Sequence, residues 1–107
     1  MNAKTRFDVT YAPQVKRHLQ SIERKYHSLI RGTIETQLQF NPDVETRNRK
    51  PLERPAELGA DWEIRSGPNN RFRVFYAVEQ ENRQVFILAI GIKRENRLII
   101  GREEVNL

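Results

Sequence analysis

The 107-residue chain contains no cysteine, which removes disulfides, thiolate nucleophiles, iron–sulfur clusters and most structural zinc sites in one step. Histidine is nearly as scarce. His18 and His27 stand nine residues apart, so on a continuous helix they would point to opposite sides and could not share a metal ion; both read as solvated or boundary residues. No apolar run exceeds the eight residues from Val85 to Ile92, well short of the roughly 20 a membrane-spanning helix needs. A signal-peptide pattern is missing as well, because Lys4, Arg6 and Asp8 interrupt the opening stretch. GxGxxG, a phosphate-loop Lys-Ser/Thr, a GxSxG elbow and a paired-histidine motif are all absent. The expectation is a soluble, cytoplasmic protein with no membrane contact, no metal and no cofactor.

What the chain has in quantity is arginine. Lys plus Arg is 19 against 14 for Asp plus Glu, a net charge of +5, and 14 of the 19 cations are arginine. Guanidinium groups stay charged and bind phosphate in bidentate fashion, so the bias suits a polyanion or an acidic partner. Length allows one domain, taken here as residues 1–107. A charged fraction of 31 % beside 37 % hydrophobic residues is compatible with a folded core.

Hydrophobic periodicity orders the chain. Phe7, Val9 and Tyr11 alternate with Arg6, Asp8 and Thr10, the period of a half-buried strand. Val15, Leu19, Ile22, Tyr26, Leu29 or Ile30, Ile34 and Leu38 then recur at three- and four-residue spacing. One helix from Pro13 to Phe40 would be unusually long for a small domain, so a break near Lys25 to Ser28 is expected, giving a helical hairpin stopped by Asn41-Pro42. Residues 41–59, with Pro42, Pro51 and Pro55, read as a long ordered loop. Alternation resumes at Trp62 and Ile64, passes turn formers at Gly67-Pro68-Asn69-Asn70, and continues through Phe72, Val74, Tyr76 and Val78. A second turn at Glu81-Asn82-Arg83 leads into Val85 to Ile92, and Arg97 to Val105 adds a short strand.

The fold class is therefore α+β, a small antiparallel sheet with an N-terminal strand and a helical hairpin packed on one face. If Trp62, Ile64, Phe72, Val74 and Tyr76 face the helices, Arg65, Arg71 and Arg73 face the other way and the open face is cationic. Two basic clusters extend it. Arg47, Arg49, Lys50 and Arg54 form one, and Lys93, Arg94, Arg97 and Arg102 the other. Trp62 reads as a core anchor rather than a stacking platform.

The ordered set of an apolar helical hairpin closed by Asn41-Pro42, Arg49-Lys50-Pro51-Leu52, Trp62-Glu63-Ile64-Arg65, Phe72-Arg73-Val74-Phe75-Tyr76 and Ala89-Ile90-Gly91-Ile92-Lys93-Arg94 resembles the RelE/ParE toxin superfamily of type II toxin–antitoxin systems, from about Arg6 to Arg94. The resemblance implies a small antiparallel sheet carrying two helices, and a toxin that inhibits translation as a ribosome-dependent endoribonuclease (mRNA interferase). It also implies a cognate antitoxin, with the ribosome and messenger RNA as targets. By position, Arg73 and Arg94 match the family's phosphate-binding residues, and Lys50 and Arg65 match more loosely. Arg47, Arg49, Arg71, Lys93 and Arg97 would add RNA contacts. Ile92, inserted between Gly91 and Lys93, suggests a bulge that leaves the direction of Arg94 open.

One departure separates this chain from the ribonuclease members. They generally carry a tyrosine or histidine after the last core strand, and here neither residue occurs beyond Tyr76. Attack by the RNA 2′-hydroxyl needs a proton acceptor, a donor to the leaving oxygen and cations over the phosphate. Arginine, with a pKa above about 12, supplies only the cations, which leaves proton transfer to Lys50, Glu53 or Glu63. The alternatives are a non-enzymatic toxin acting on DNA gyrase, and an inert relative that binds only its antitoxin or nucleic acid.

Overall fold

The protein is described from a computed structural model covering residues 6–53 and 59–105. Arg54 of the first basic cluster lies outside the described residues. Seven strands and two helices follow in the order β1 (Asp8–Tyr11), α1 (Gln14–Gln20), α2 (His27–Gln37), β2 (Arg49–Pro51), β3 (Trp62–Ser66), β4 (Phe72–Glu79), β5 (Gln84–Arg94), β6 (Arg97–Ile100) and β7 (Glu103–Val105). One sheet runs β2-β3-β4-β5-β6-β7, and β1 joins it by pairing with β5. The expected α+β arrangement is present, with the helices on one face.

Several details depart from the sequence reading. The helical break falls at Ser21–Glu23, ahead of the Lys25–Ser28 expected, and a 3₁₀ turn at Arg24–Tyr26 leads into α2. The sheet is not wholly antiparallel, because β1 runs parallel to β5. The 41–59 segment contains β2, a three-residue edge strand too short to show a period and ending on a proline, which an edge tolerates. The C-terminal stretch forms two strands, reversed at Gly101-Arg102 with both residues at positive φ. The bulge lies where register shifts between Phe75 and Tyr76 opposite Leu88, while Gly91, Ile92 and Lys93 remain in continuous register.

Strand alternation divides the apolar residues between two clusters. Ile64, Phe72, Val74, Tyr76, Val85, Ile87, Ile90 and Ile92 meet Val15, Ile22, Ile30, Ile34 and Leu38 of the helical segment, with Trp62 packed at the margin as an anchor. The other face carries Phe75, Ala89, Ala60 and Ile100, flanked by Leu52, Leu88, Leu98 and Val105. That face is thus not uniformly cationic, because alternation places Phe75 and Ile100 there and the bulge adds Leu88 beside Ala89.

The segment after α2 is pinned from three sides. Buried Tyr76 donates its hydroxyl to Pro42 O at 2.6 Å. Arg49 donates Nε–H to Val44 O at 2.7 Å and Nη1–H to Gln37 O at 2.6 Å. Gln80 bonds Asp43 across the same segment.

His18 has a role its sequence position did not suggest. One edge of β5 is shared, with β1 covering Gln84–Ile87 and β6 covering Gly91–Arg94. In the gap, Leu88 O accepts from Gln14 Nε2 at 3.1 Å, and Ile90 N–H donates to His18 Nδ1 at 3.2 Å. The imidazole is buried rather than solvated. It completes the backbone bonding of an interrupted strand edge, where an unpaired buried N–H would be costly. Burial, and secondarily the Arg17 charge, hold its pKa below the ordinary value, in keeping with an Nδ1 that must stay unprotonated to accept.

A histidine pKa lowered by folding stabilises fully above the unfolded value of about 6.5, and that contribution fades as pH falls through 6.5 toward the folded value. The melting temperature is therefore expected to drop between about pH 7.5 and about pH 5, and His18→Gln, whose amide oxygen can still accept from Ile90, to flatten that drop. Thermal unfolding of both proteins across the range checks it.

Candidate functional site

The antiparallel register of β4 and β5 decides where the cations gather. Phe72 stands opposite Ile92 and Arg73 opposite Gly91, so the start of β4 and the end of β5 lie together at one end of the sheet. A groove of about 540 Å³ opens there, lined by Glu23, Asn69, Arg71, Arg73, Ile92, Lys93, Arg94 and Glu95. Four cationic side chains oppose two carboxylates in it. Glu23 comes from the break between the helices, and Asn69 from the 3₁₀ turn Pro68–Asn70.

Arg73 is held at two points. Its Nε–H donates to Asn70 O at 3.0 Å and its Nη1–H to Glu63 Oε1 at 2.7 Å. The same carboxylate oxygen accepts Arg65 Nε–H at 2.7 Å. Arg65 and Arg73 are directly opposed across β3 and β4, a like-charge pair that would repel without a counter-ion. Glu63, 8 % exposed, supplies it. Its engagement by two guanidinium groups makes it a clamp, leaving the second terminal nitrogen of Arg73 for a ligand.

Gly91, opposite Arg73 in the ladder, has no room for a side chain against β6. A Cβ on Gly91 would approach Ile99 O and Ile100 Cγ1 to 2.9 Å and Leu98 Cδ1 to 3.1 Å. Gly91→Ala is expected to cost about 1–3 kcal/mol through strand displacement. Chemical denaturation measures the loss.

Arg71 departs from the expected orientation. It closes the 3₁₀ turn ahead of β4, so strand alternation does not govern it, and it lies on the helical side. Its Cζ sits 4.8 Å from the Tyr26 ring centroid and 5.1 Å from that of Phe72.

The remaining candidates are dispersed. Lys93 and Arg94 line the groove with no ion pair among the described residues. Lys50 lies on edge strand β2, outside the groove, with Nζ 3.2 Å from Glu45 Oε2. Arg65 belongs to the Glu63 clamp on the far face. Arg97 pairs loosely with Glu104 at 3.8 Å, both exposed, and Arg47 is exposed on the loop before β2. Arg49 is not an accessible RNA contact, because it registers with Ile64, turns toward the helices and is 6 % exposed. Tyr76, whose phenol burial keeps neutral far above its usual range, belongs to the core. Sequence reasoning missed Glu23, Asn69 and Glu95 as groove residues and Tyr26 as the neighbour of Arg71. None of them falls on a strand period.

No family model matches the chain, and no curated protein matches it. Among solved structures it is similar to the toxin–antitoxin complex RelBE2 from Mycobacterium tuberculosis, with a TM-score of 0.65 at 23 % identity over 82 % of this chain and 99 % of that one. The fold is RelE-like. The shared architecture bears out the expected class of a sheet carrying two helices, and within it the groove lies at the end of the sheet, between the β4 start and the β5 end. No described helix is long and apolar enough to cross a membrane.

Proposed function

We propose that this protein is the toxin of a type II toxin–antitoxin pair, inhibiting translation by cutting messenger RNA on the ribosome. The observation that carries the reading is the convergence of Arg71, Arg73, Lys93 and Arg94 on one groove. Phosphate oxygens gain charge as the 2′-oxygen attacks phosphorus and the 5′-oxygen leaves, and preorganised guanidinium donors stabilise that charge. Arg94 and the free end of Arg73 are the phosphate ligands, with Lys93 beside them. Glu63 is a positioning residue, fixing the plane of Arg73.

The 2′-hydroxyl proton needs an acceptor, and the leaving oxygen needs a donor. The carboxylates lining the groove are Glu23 and Glu95, and the proton donor there is Lys93; Lys50, opposite Glu63 on the edge strand, is not among the lining residues. A groove rich in arginine and without an imidazole among its lining residues performs charge stabilisation better than proton transfer. In this reading the ribosome orients the 2′-hydroxyl for attack. The RelBE2 structure is that of a toxin–antitoxin complex, and a cognate antitoxin is proposed for this chain as well, its acidic side chains complementing the groove.

The test is to add purified protein to a cell-free translation reaction and map messenger RNA ends. New ends that appear only when ribosomes are present support the reading. Intact messenger RNA with translation unimpaired overturns it.

A second reading is a non-enzymatic toxin acting on DNA gyrase. The observation in its favour is an apolar groove of about 490 Å³ between the helices, lined by Tyr11, Val15, Leu19, Ile30, Ile34 and Ile90 among others, a surface suited to a protein rather than to RNA. Stabilised DNA breaks in cells with messenger RNA intact would favour it over cleavage.

A further inference from the structure

Arg71 is held differently from Arg49, Arg65 and Arg73. Oxygen acceptors fix Arg49, Arg65 and Arg73. Among the described residues no oxygen accepts from the Arg71 side chain, and its Nε is buried without a hydrogen-bond partner. Two rings hold it instead. Tyr26 and Phe72 lie 5.0 Å apart, tilted at 52°, and the guanidinium carbon is 4.8 Å from one centroid and 5.1 Å from the other.

The backbone beneath is fixed as well, since Arg71 O accepts Lys93 N–H at 2.7 Å. A cation against ring faces is attracted by their quadrupoles. A guanidinium is also flat, weakly hydrated and permanently charged. Such a group, anchored through carbon and ring contacts rather than through its N–H groups, can stack a further planar π system. A group whose donors were already claimed by carboxylates is built for something else.

We infer that Arg71, supported by Tyr26 and Phe72, is the stacking platform for a nucleobase of the bound RNA, beside the phosphate ligands Arg94, Arg73 and Lys93. The inference rests on the RNA reading above and assigns one of its cations a second role. Phosphate contacts place a strand without regard to the bases it carries. Stacking on a guanidinium or aromatic plane engages the base itself and tolerates any sequence, because every base has a π face. The groove thus binds a nucleotide as two parts, a phosphate against Arg94 and a base against Arg71.

The test compares a short single-stranded oligoadenylate with an abasic ribose-phosphate strand of the same length, by titration with fluorescence anisotropy. Arg71→Lys keeps the charge and loses the plane. It is expected to weaken oligoadenylate binding roughly 5- to 150-fold, the usual range when alanine substitution removes one stacking partner, while binding the abasic strand as the wild type does. Tyr26→Leu, which removes part of the support and leaves Arg71 in place, should reproduce the same selective loss, with circular dichroism confirming the fold.

Equal affinity of Arg71→Lys and wild type for both strands overturns the platform, as does an equal loss on both, which would make Arg71 a phosphate ligand only. Absence of salt-sensitive binding of either strand by the wild type overturns the RNA reading along with it.

Discussion

Arg94→Ala is expected to slow cleavage of ribosome-bound messenger RNA by about 10²- to 10³-fold, the usual loss for one preorganised transition-state donor. Its melting temperature should stay within about a degree or two of wild type, because Arg94 is exposed and holds no partner among the described residues. Arg73→Ala should lose as much activity but also stability. Glu63 would keep only Arg65 as a counter-ion while staying largely buried, and a buried carboxylate deprived of a partner is destabilising. Cleavage rates measured beside thermal unfolding separate the two variants. Equal melting temperatures would contradict the clamp, and an unchanged rate for Arg94→Ala would remove it from the site.

Arg49→Ala is expected to have the largest effect on stability and none on RNA contact. Gln37 O at the end of α2 and Val44 O in the following loop, partly solvated carbonyls, would lose their donors. At roughly 0.5–1.5 kcal/mol net for each hydrogen bond the cost is about 1–3 kcal/mol, with the packing of a buried side chain lost besides, a fall of at least roughly 4 °C in melting temperature for a chain of this size. Arg49→Lys should recover part of it, since one ammonium cannot reproduce the two-armed geometry. RNA affinity per folded molecule should be unchanged in both. A stable Arg49→Ala with weakened RNA binding would return Arg49 to the interface.

How much of this was legible in sequence depends on the length of each element. The long strand β4 and the helical segment carry enough residues for a period to show, so Phe72, Val74, Tyr76, Ile34 and Leu38 could be placed in the core directly. Short elements carry no such signal. β2 has three residues, and the inward turn of Arg49 follows only from its pairing with Ile64, a fact of register rather than of pattern. Arg71 sits one residue before its strand, so alternation assigned it to the wrong face.

The candidate site was legible in part for the same reason. Arg73, Arg94 and Lys93 were identified, and the pairing of the β4 start with the β5 end brings them together. Glu63 as a shared counter-ion required knowing that Arg65 and Arg73 are directly opposed. Glu23 reaches the groove from a helical break with no sequence relation to either strand. His18 looked like a surface histidine because nothing in its own helix shows that β5 lacks a neighbour at Ile90. Long-range satisfaction of backbone groups is invisible to local pattern.

The groove at the end of the sheet is proposed to bind RNA through its phosphates. The direct measurement is the salt dependence of single-stranded RNA affinity for wild type and Arg94→Ala. With about three phosphates engaged, log Kd should rise with log salt at a slope of roughly 2, and removing Arg94 should lower that slope by about 0.7. A slope near zero, or one that no groove substitution alters, would contradict the account.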